Sequence, residues 1–215
     1  MHRLLSAVAL FVACSAAHAQ VVTATPSALE FAPMTVPSES DIVPLTLTNT
    51  SASTVSLSLG VLGSGFGWYA GSCGSELAAG ASCAVGVQSE TWAGFPLGVY
   101  EARFVVDTSA NDLQVPLRVF VYSRDAVPGM QNLSTTIDTQ ALPRSTQARA
   151  SALLRQVDRV LDDRRPANDA MACTRLARLD DLLEGEAAAG RMSEWLAASL
   201  VVQSQAVAAA LECAG

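Results

Sequence analysis

Val43-Pro44-Leu45-Thr46-Leu47-Thr48-Asn49, a turn through Ser53, and Val55-Ser56-Leu57-Ser58-Leu59-Gly60-Val61 form the stretch on which the fold turns. Val43, Leu45 and Leu47 alternate with Pro44, Thr46 and Thr48, and Val55, Leu57, Leu59 and Val61 repeat the pattern after the turn. A period of two puts every second side chain on one face, so each half reads as a half-buried strand rather than a helix.

The same period runs outward in both directions. Leu29 and Phe31 mark an opening strand, Phe66, Trp68 and Tyr69 an aromatic strand bounded by glycines, and Cys83, Val85 and Val87 another. Tyr100, Ala102, Phe104 and Val106 lead through the polar turn 108–112 into Leu113, Val115, Leu117, Val119 and Val121. About seven short strands in about 100 residues, with turn signals at that spacing, predict an immunoglobulin-like β-sandwich over residues 20–122. Pro44 and Pro116 are expected at an edge or a bulge, because proline cannot donate to a ladder.

Between 123 and 144 the periodicity fails, and Pro128-Gly129, Asn132 and Pro143 read as a linker. From 145 to 215 the period becomes helical. Ala150, Leu153, Leu154, Val157, Val160 and Leu161 form one stripe behind a Ser145 or Thr146 cap, ending at Arg165-Pro166-Ala167. Asn168 or Asp169 caps a second helix carrying Ala172, Leu176, Leu179 and Leu183, stopped by Gly185. Ser193 opens a third with Leu196, Leu200, Val207 and Leu211. The predicted fold class is therefore mainly β plus α, a sandwich followed by a small three-helix bundle.

Residues 1–19 read as an export leader. Arg3 supplies charge, residues 4–13 an apolar run, and Ala17-His18-Ala19 the small-residue site that predicts cleavage between Ala19 and Gln20. The run of about ten apolar residues is short of the roughly 20 that span a bilayer, and no later run reaches that length. Phe11-Val12-Ala13-Cys14 resembles a lipobox, which makes acylation of Cys14 the alternative processing; the residue at 11 departs from the usual leucine. A periplasmic, outer-surface or extracellular location follows from either.

Cleavage at Ala19 removes His2 and His18, the chain's two histidines. Imidazole-based triads and histidine zinc sites are then excluded. All thirteen basic residues are arginine, which excludes Schiff-base and Ser/Lys chemistry. A net charge of −7 and no long basic run argue against nucleic acid as a partner. Of five cysteines, four survive cleavage, in two local pairs, Cys73 with Cys83 and Cys173 with Cys213. None has the C-x-x-C spacing of a metal knuckle, so disulfides are expected and no metal or cofactor is. Antiparallel helices two and three would bring Cys173 and Cys213 together, closing a loop of about 40 residues for roughly 3 to 4 kcal/mol.

The run Cys73-Gly74-Ser75-Glu76-Leu77-Ala78-Ala79-Gly80-Ala81-Ser82-Cys83, with Ala84-Val85-Gly86-Val87 after it, resembles a recurrent element of bacterial immunoglobulin-like domains of the choice-of-anchor D, or ASPM/Hydin-related, type. Gly98-Val99-Tyr100-Glu101-Ala102-Arg103-Phe104 and Leu45-Thr46-Leu47-Thr48-Asn49-Thr50 fit the same pattern, so that the resemblance covers about 25–121. Ala172-Cys173-Thr174-Arg175-Leu176 and Gly190-Arg191-Met192-Ser193 resemble the three-helix FIMAH module, with Arg191 replacing its usual lysine and Trp195 in a normally small position. The resemblances imply modules for surface display, adhesion or complex assembly and no active site.

Asp180, Asp181, Glu184 and Glu186 read as the solvated face of a helix, and Asp107, Asn111 and Asp112 as turn residues, rather than calcium ligands. Trp92, Phe95 and Tyr69 are the candidate ligand contacts, because aromatics on sandwich loops stack on sugars or fill partner pockets. Trp68 is expected in the core. Asn49-Thr50-Ser51 and Asn132-Leu133-Ser134 match glycosylation sequons. The expected function is a non-catalytic exported binding protein that engages a protein or the cell surface, with a helical docking or spacer tail. The alternative is a polysaccharide-recognising accessory module of a secreted hydrolase system.

Overall fold

A computed structural model describes residues 21–109, 111–162 and 166–213. The expected leader, the expected cleavage site Ala19/Gln20, Cys14 and the Arg165 end of the first expected break lie outside them.

The described residues form ten strands followed by four helices. One sheet runs β1 (Val22–Thr25), β4 (Val43–Asn49), β8 (Ser82–Thr91), β3 (Ser38–Glu39), with β6 (Phe66–Tyr69) on the other side of β8. The second runs β2 (Leu29–Glu30), β10 (Leu113–Val121), β9 (Gly98–Thr108), β5 (Val55–Leu62), β7 (Glu76–Leu77). This is the immunoglobulin-like sandwich that the alternation predicts, and the period-two residues supply its core. Leu45, Leu47, Val85 and Val87 share one apolar cluster with Phe104, Val106, Val115, Leu117 and Val119. Trp68 packs into the same core, edge-on to Phe104 at 5.8 Å.

Both prolines sit in interior strands rather than at edges, each just past the end of a short neighbour. β1 pairs with β4 only from Thr46 onward, and β2 meets β10 only at Leu117 and Arg118. The ring nitrogens of Pro44 and Pro116 therefore owe no hydrogen bond to a ladder. The Asn49 turn is held by a fully buried side chain. Its Nδ2 donates to the carbonyls of Ser53 (2.8 Å) and Leu77 (3.0 Å), and its Oδ1 accepts from Ser51 N–H at 2.9 Å.

The segment read as a linker is instead mostly helix, α1 (Ala126–Thr139), so the helical part has four helices rather than three. Its inward face is made of Gly129, Met130, Asn132, Leu133, Thr136 and Ile137, half of them residues that favour loops elsewhere. Gly129 is required by packing: a Cβ there would lie 2.7 Å from both Gln203 Nε2 and Val207 Cγ2. α2 (Arg144–Asp162), α3 (Pro166–Ala188) and α4 (Glu194–Ala210) complete the bundle around Leu154, Leu176, Leu183 and Leu200. No helix of the described residues is long and apolar enough to cross a membrane.

Helix ends follow the expected chemistry only in part. Ser193 caps α4, its Oγ accepting from Leu196 N–H at 3.2 Å. α2 already starts at Arg144, and Thr146 turns inward to donate to Glu186 Oε2 at 2.7 Å. Asn168 and Asp169 fall inside α3, which begins at Pro166, a residue suited to a first turn because it has no N–H to leave unpaired. α3 runs through Gly185 and ends near Gly190, whose φ of +67° makes the left-handed turn.

The two cysteine pairs are disulfides, Cys73–Cys83 and Cys173–Cys213, with Cα atoms 5.0 and 5.6 Å apart. The second joins α3 to the end of α4, as antiparallel neighbours require.

The helices cover one end of the second sheet's outer face. Along β10 the outward residues pass from exposed Gln114 and Pro116 through half-buried Arg118 to fully buried Phe120. Val99, paired with Phe120, packs on the helical core. At this seam Gln203 receives Ser123 N–H (3.1 Å) and Asn132 Nδ2–H (3.0 Å) on Oε1, and donates from Nε2 to Ser123 O at 2.8 Å. Asn132 also donates to Val121 O. The tail is thus bonded to the sandwich directly after β10.

Candidate functional site

The first sheet's outer face remains open. Along β8, Val85, Val87, Ser89 and Thr91 turn inward, so Ala84, Gly86, Gln88 and Glu90 turn out, and exposed Trp92 continues the alternation just past the strand. Glycines make room on this face for side chains of the neighbouring segments to lie across the strands. A Cβ on Gly86 would fall 2.6 Å from Ile42 Cγ2 and 3.7 Å from Tyr69 Cδ2, so both side chains lie over it from opposite sides. A Cβ on Gly67 would meet Glu90 Oε1 at 3.2 Å. Ile42, Tyr69 and Trp92 are 56, 51 and 59% exposed, the first two flanking Gly86 and the third six residues further along the same strand direction, about 20 Å away.

Two local interactions fix the aromatics. Tyr69 donates its hydroxyl to Gln88 Oε1 at 3.1 Å, which anchors the ring across β6 and β8. Trp92 stands edge-on to Phe95 at 4.5 Å with an interplanar angle of 86°. Phe95 differs from its expectation as a ligand contact: it is 4% exposed and stacks on Tyr100 at 4.6 Å. Its neighbour Pro96 supplies the carbonyl that accepts from the Tyr100 hydroxyl, and Gly94 (φ +85°) makes the turn that drives residue 95 inward. Phe95 is therefore the post that holds Trp92 up, and Tyr69 and Trp92 are the exposed pair.

Ile42 was not singled out by sequence, because it precedes the alternating run and has no partner in its period. The carboxylates of α3 also differ from a uniformly solvated face. Asp181 and Glu184 are exposed, but Glu186 is buried and receives Arg191 Nε–H (2.9 Å), a second Arg191 N–H (3.0 Å) and the Thr146 hydroxyl. Those hydrogen bonds, Arg191's first, hold its carboxyl down at about 2. Asp180 is half-buried; loss of water pushes its carboxyl up to about 6, opposed by the Ser204 hydroxyl and reinforced by Glu184 and Asp181. The sequon residues Asn49 and Asn132 are both buried and bonded.

No family model matches this chain, and no curated protein does. Solved structures similar to it include the ASH/PapD-like domain of human CEP192, at 11% identity over 56% of this chain and 99% of that one, with a TM-score of 0.41. A Salmonella enterica SafA pilin in complex with the SafB chaperone is similar at 9% identity over 59% and 62% of the two chains, TM-score 0.36. A FixG-related protein from Vibrio parahaemolyticus is similar at 15% identity over 40% and 80%, TM-score 0.33. At these identities and scores the likeness concerns the sandwich and carries no argument about partner or activity.

Proposed function

We propose that this is an exported, non-catalytic binding protein whose sandwich engages a protein partner through the open face bearing Ile42, Tyr69 and Trp92. The observation that carries the reading is the exposure of these three side chains on the sheet that the helices leave bare, while the opposite sheet has its apolar Phe120 covered. Rigid, pre-anchored aromatics with an aliphatic neighbour are the usual energetic centre of protein interfaces, since they lose little freedom on binding. Disulfides and a cleavable leader suit a chain that works outside the reducing cytoplasm. Processing at Ala19, or acylation at Cys14, decides whether it is free or lipid-anchored.

The test is capture from envelope extracts with a photo-crosslinker at exposed position 90, on the same face. A partner held by the native chain and lost in Tyr69→Ala and Trp92→Ala supports the reading; capture unchanged by both variants defeats it.

The exposure of Trp92 favours one second reading. At 59% exposed, the indole offers solvent an aromatic surface of the kind on which a sugar ring stacks. Under this reading the chain is a polysaccharide-recognising accessory module, and glycan addition quenches tryptophan emission in the native chain but not in Trp92→Phe.

A further inference from the structure

On the helical part, far from that face in sequence, α2 and α3 enclose a groove of about 460 Å³. Arg149, Leu153 and Gln156 line it from α2, and Arg178, Asp181 and Leu182 from α3. Residues 149, 153 and 156 follow helical spacing, so the groove extends about 10 Å along α2, close to two turns of a helix laid beside it. Leucines form its floor and charges its rim. Arg149 and Arg178 are exposed, and among the described residues neither makes an ion pair or a hydrogen bond, although Arg149 is near enough to Glu186 for its charge to help lower that carboxyl.

That leaves two guanidinium groups over an apolar floor in a chain whose acids outnumber its bases. The positive charge belongs to the α2 wall, where Arg144, Arg149, Arg155 and Arg159 stand against Asp158 and Asp162, and to Arg178 on the rim; beyond Arg178, α3 is acidic, with Asp180, Asp181, Glu184 and Glu186. An arginine fork bonds carboxylates best, and its methylene stem packs on aliphatic groups. Asp181 on the same rim sets a limit, because a continuous anionic surface such as a lipid bilayer would meet it with like charge. A segment with discrete charges would avoid that conflict by placing a base there.

We propose that the α2–α3 groove docks an acidic amphipathic helix of a protein partner. Its apolar face rests on Leu153 and Leu182, its carboxylates meet Arg149 and Arg178, and a basic residue faces Asp181. This site shares no residue with the open sheet face and stands or falls separately from it.

The test uses the full chain and a fluorescein-labelled synthetic helix of about four turns, with leucines on one face, glutamates flanking them and one lysine. Saturable, salt-sensitive anisotropy is expected. Binding should weaken about tenfold or more in the double variant Arg149→Glu/Arg178→Glu and recover when the peptide's glutamates are arginines. Leu153→Ala, with the charges intact, should also weaken it. Four outcomes overturn the proposal: no saturation by about 1 mM peptide, equal affinity for native and charge-reversed chains, loss without rescue, or association only with phosphatidylglycerol vesicles.

Discussion

The indole Nε1–H of Trp195 donates to the carbonyl of Phe31 at 3.0 Å, joining the start of α4 to the chain just past β2, 164 residues away in sequence. The Arg118 guanidinium lies 4.5 Å above the same ring and pairs with Glu30, so one tryptophan is held from both sheet and strand. Replacing the indole by phenylalanine keeps most of the packing and loses the hydrogen bond, at about 1 kcal/mol. Trp195→Ala also loses the cation–π contact and burial, at about 2–3 kcal/mol. Hydrogen exchange should rise along β2 and the first turn of α4 in both variants; protection unchanged in Trp195→Ala would show the seam to be held elsewhere.

Gln203 is the second seam post. Truncation in Gln203→Ala leaves half-buried Ser123 N–H and Ser123 O, and part of buried Asn132, without their partner, and the unmade buried bond to Asn132 costs about 1–3 kcal/mol. Gly129→Ala attacks the same contact from the other side by pressing a methyl group on Gln203 and Val207. Each variant should lower the thermal midpoint, and the double variant should cost less than the sum of the two, because both break one contact. Strict additivity in the cycle would contradict that coupling.

These seam residues also show where the sequence was opaque. The sandwich strands carry their period in apolar residues, so Val43 to Val61 could be read directly, as could Ser193 as a cap and the Cys173–Cys213 pair. α1 could not, because its buried face uses Gly129, Asn132 and Thr136, whose partners Gln203 and Val121 lie on other elements. Strands as short as β3 and β7 have too few residues to express a period. At the candidate face, exposure of Trp92 and Tyr69 was legible as loop and edge aromatics. Burial of Phe95 was not, since it depends on the turn at Gly94 and on Tyr100 across the loop.

The disulfides should contribute unequally. Cys173–Cys213 spans 40 residues and Cys73–Cys83 spans 10. Loop-closure entropy then gives about 4 kcal/mol for the first and about 3 for the second. Cys213→Ser, paired with Cys173→Ser to avoid a stray thiol, should lower denaturant stability more than Cys73→Ser/Cys83→Ser. The reverse order in urea melts would place the larger effect in native-state packing around the 73–83 loop.

Acidity should act on the helical part through Asp180. Burial raises its carboxyl from an ordinary 3.8 to about 6, so the folded chain holds this proton more tightly than the unfolded one. The associated stability is complete below 3.8 and is lost as pH rises through about 6. Because the side chain is only half-buried, solvent screening reduces the effect to about 1 kcal/mol. Glu186 works in the opposite sense and lower down: its stabilising pairing is present above 4.5 and lost as pH falls through about 2. Between about pH 7.5 and pH 5, then, the carboxyl of Asp180 governs the trend and the native chain gains stability on acidification. Asp180→Asn should be the more stable protein at neutral pH and should flatten that rise. Melting curves with the same pH slope in both proteins would show that another group carries the titration.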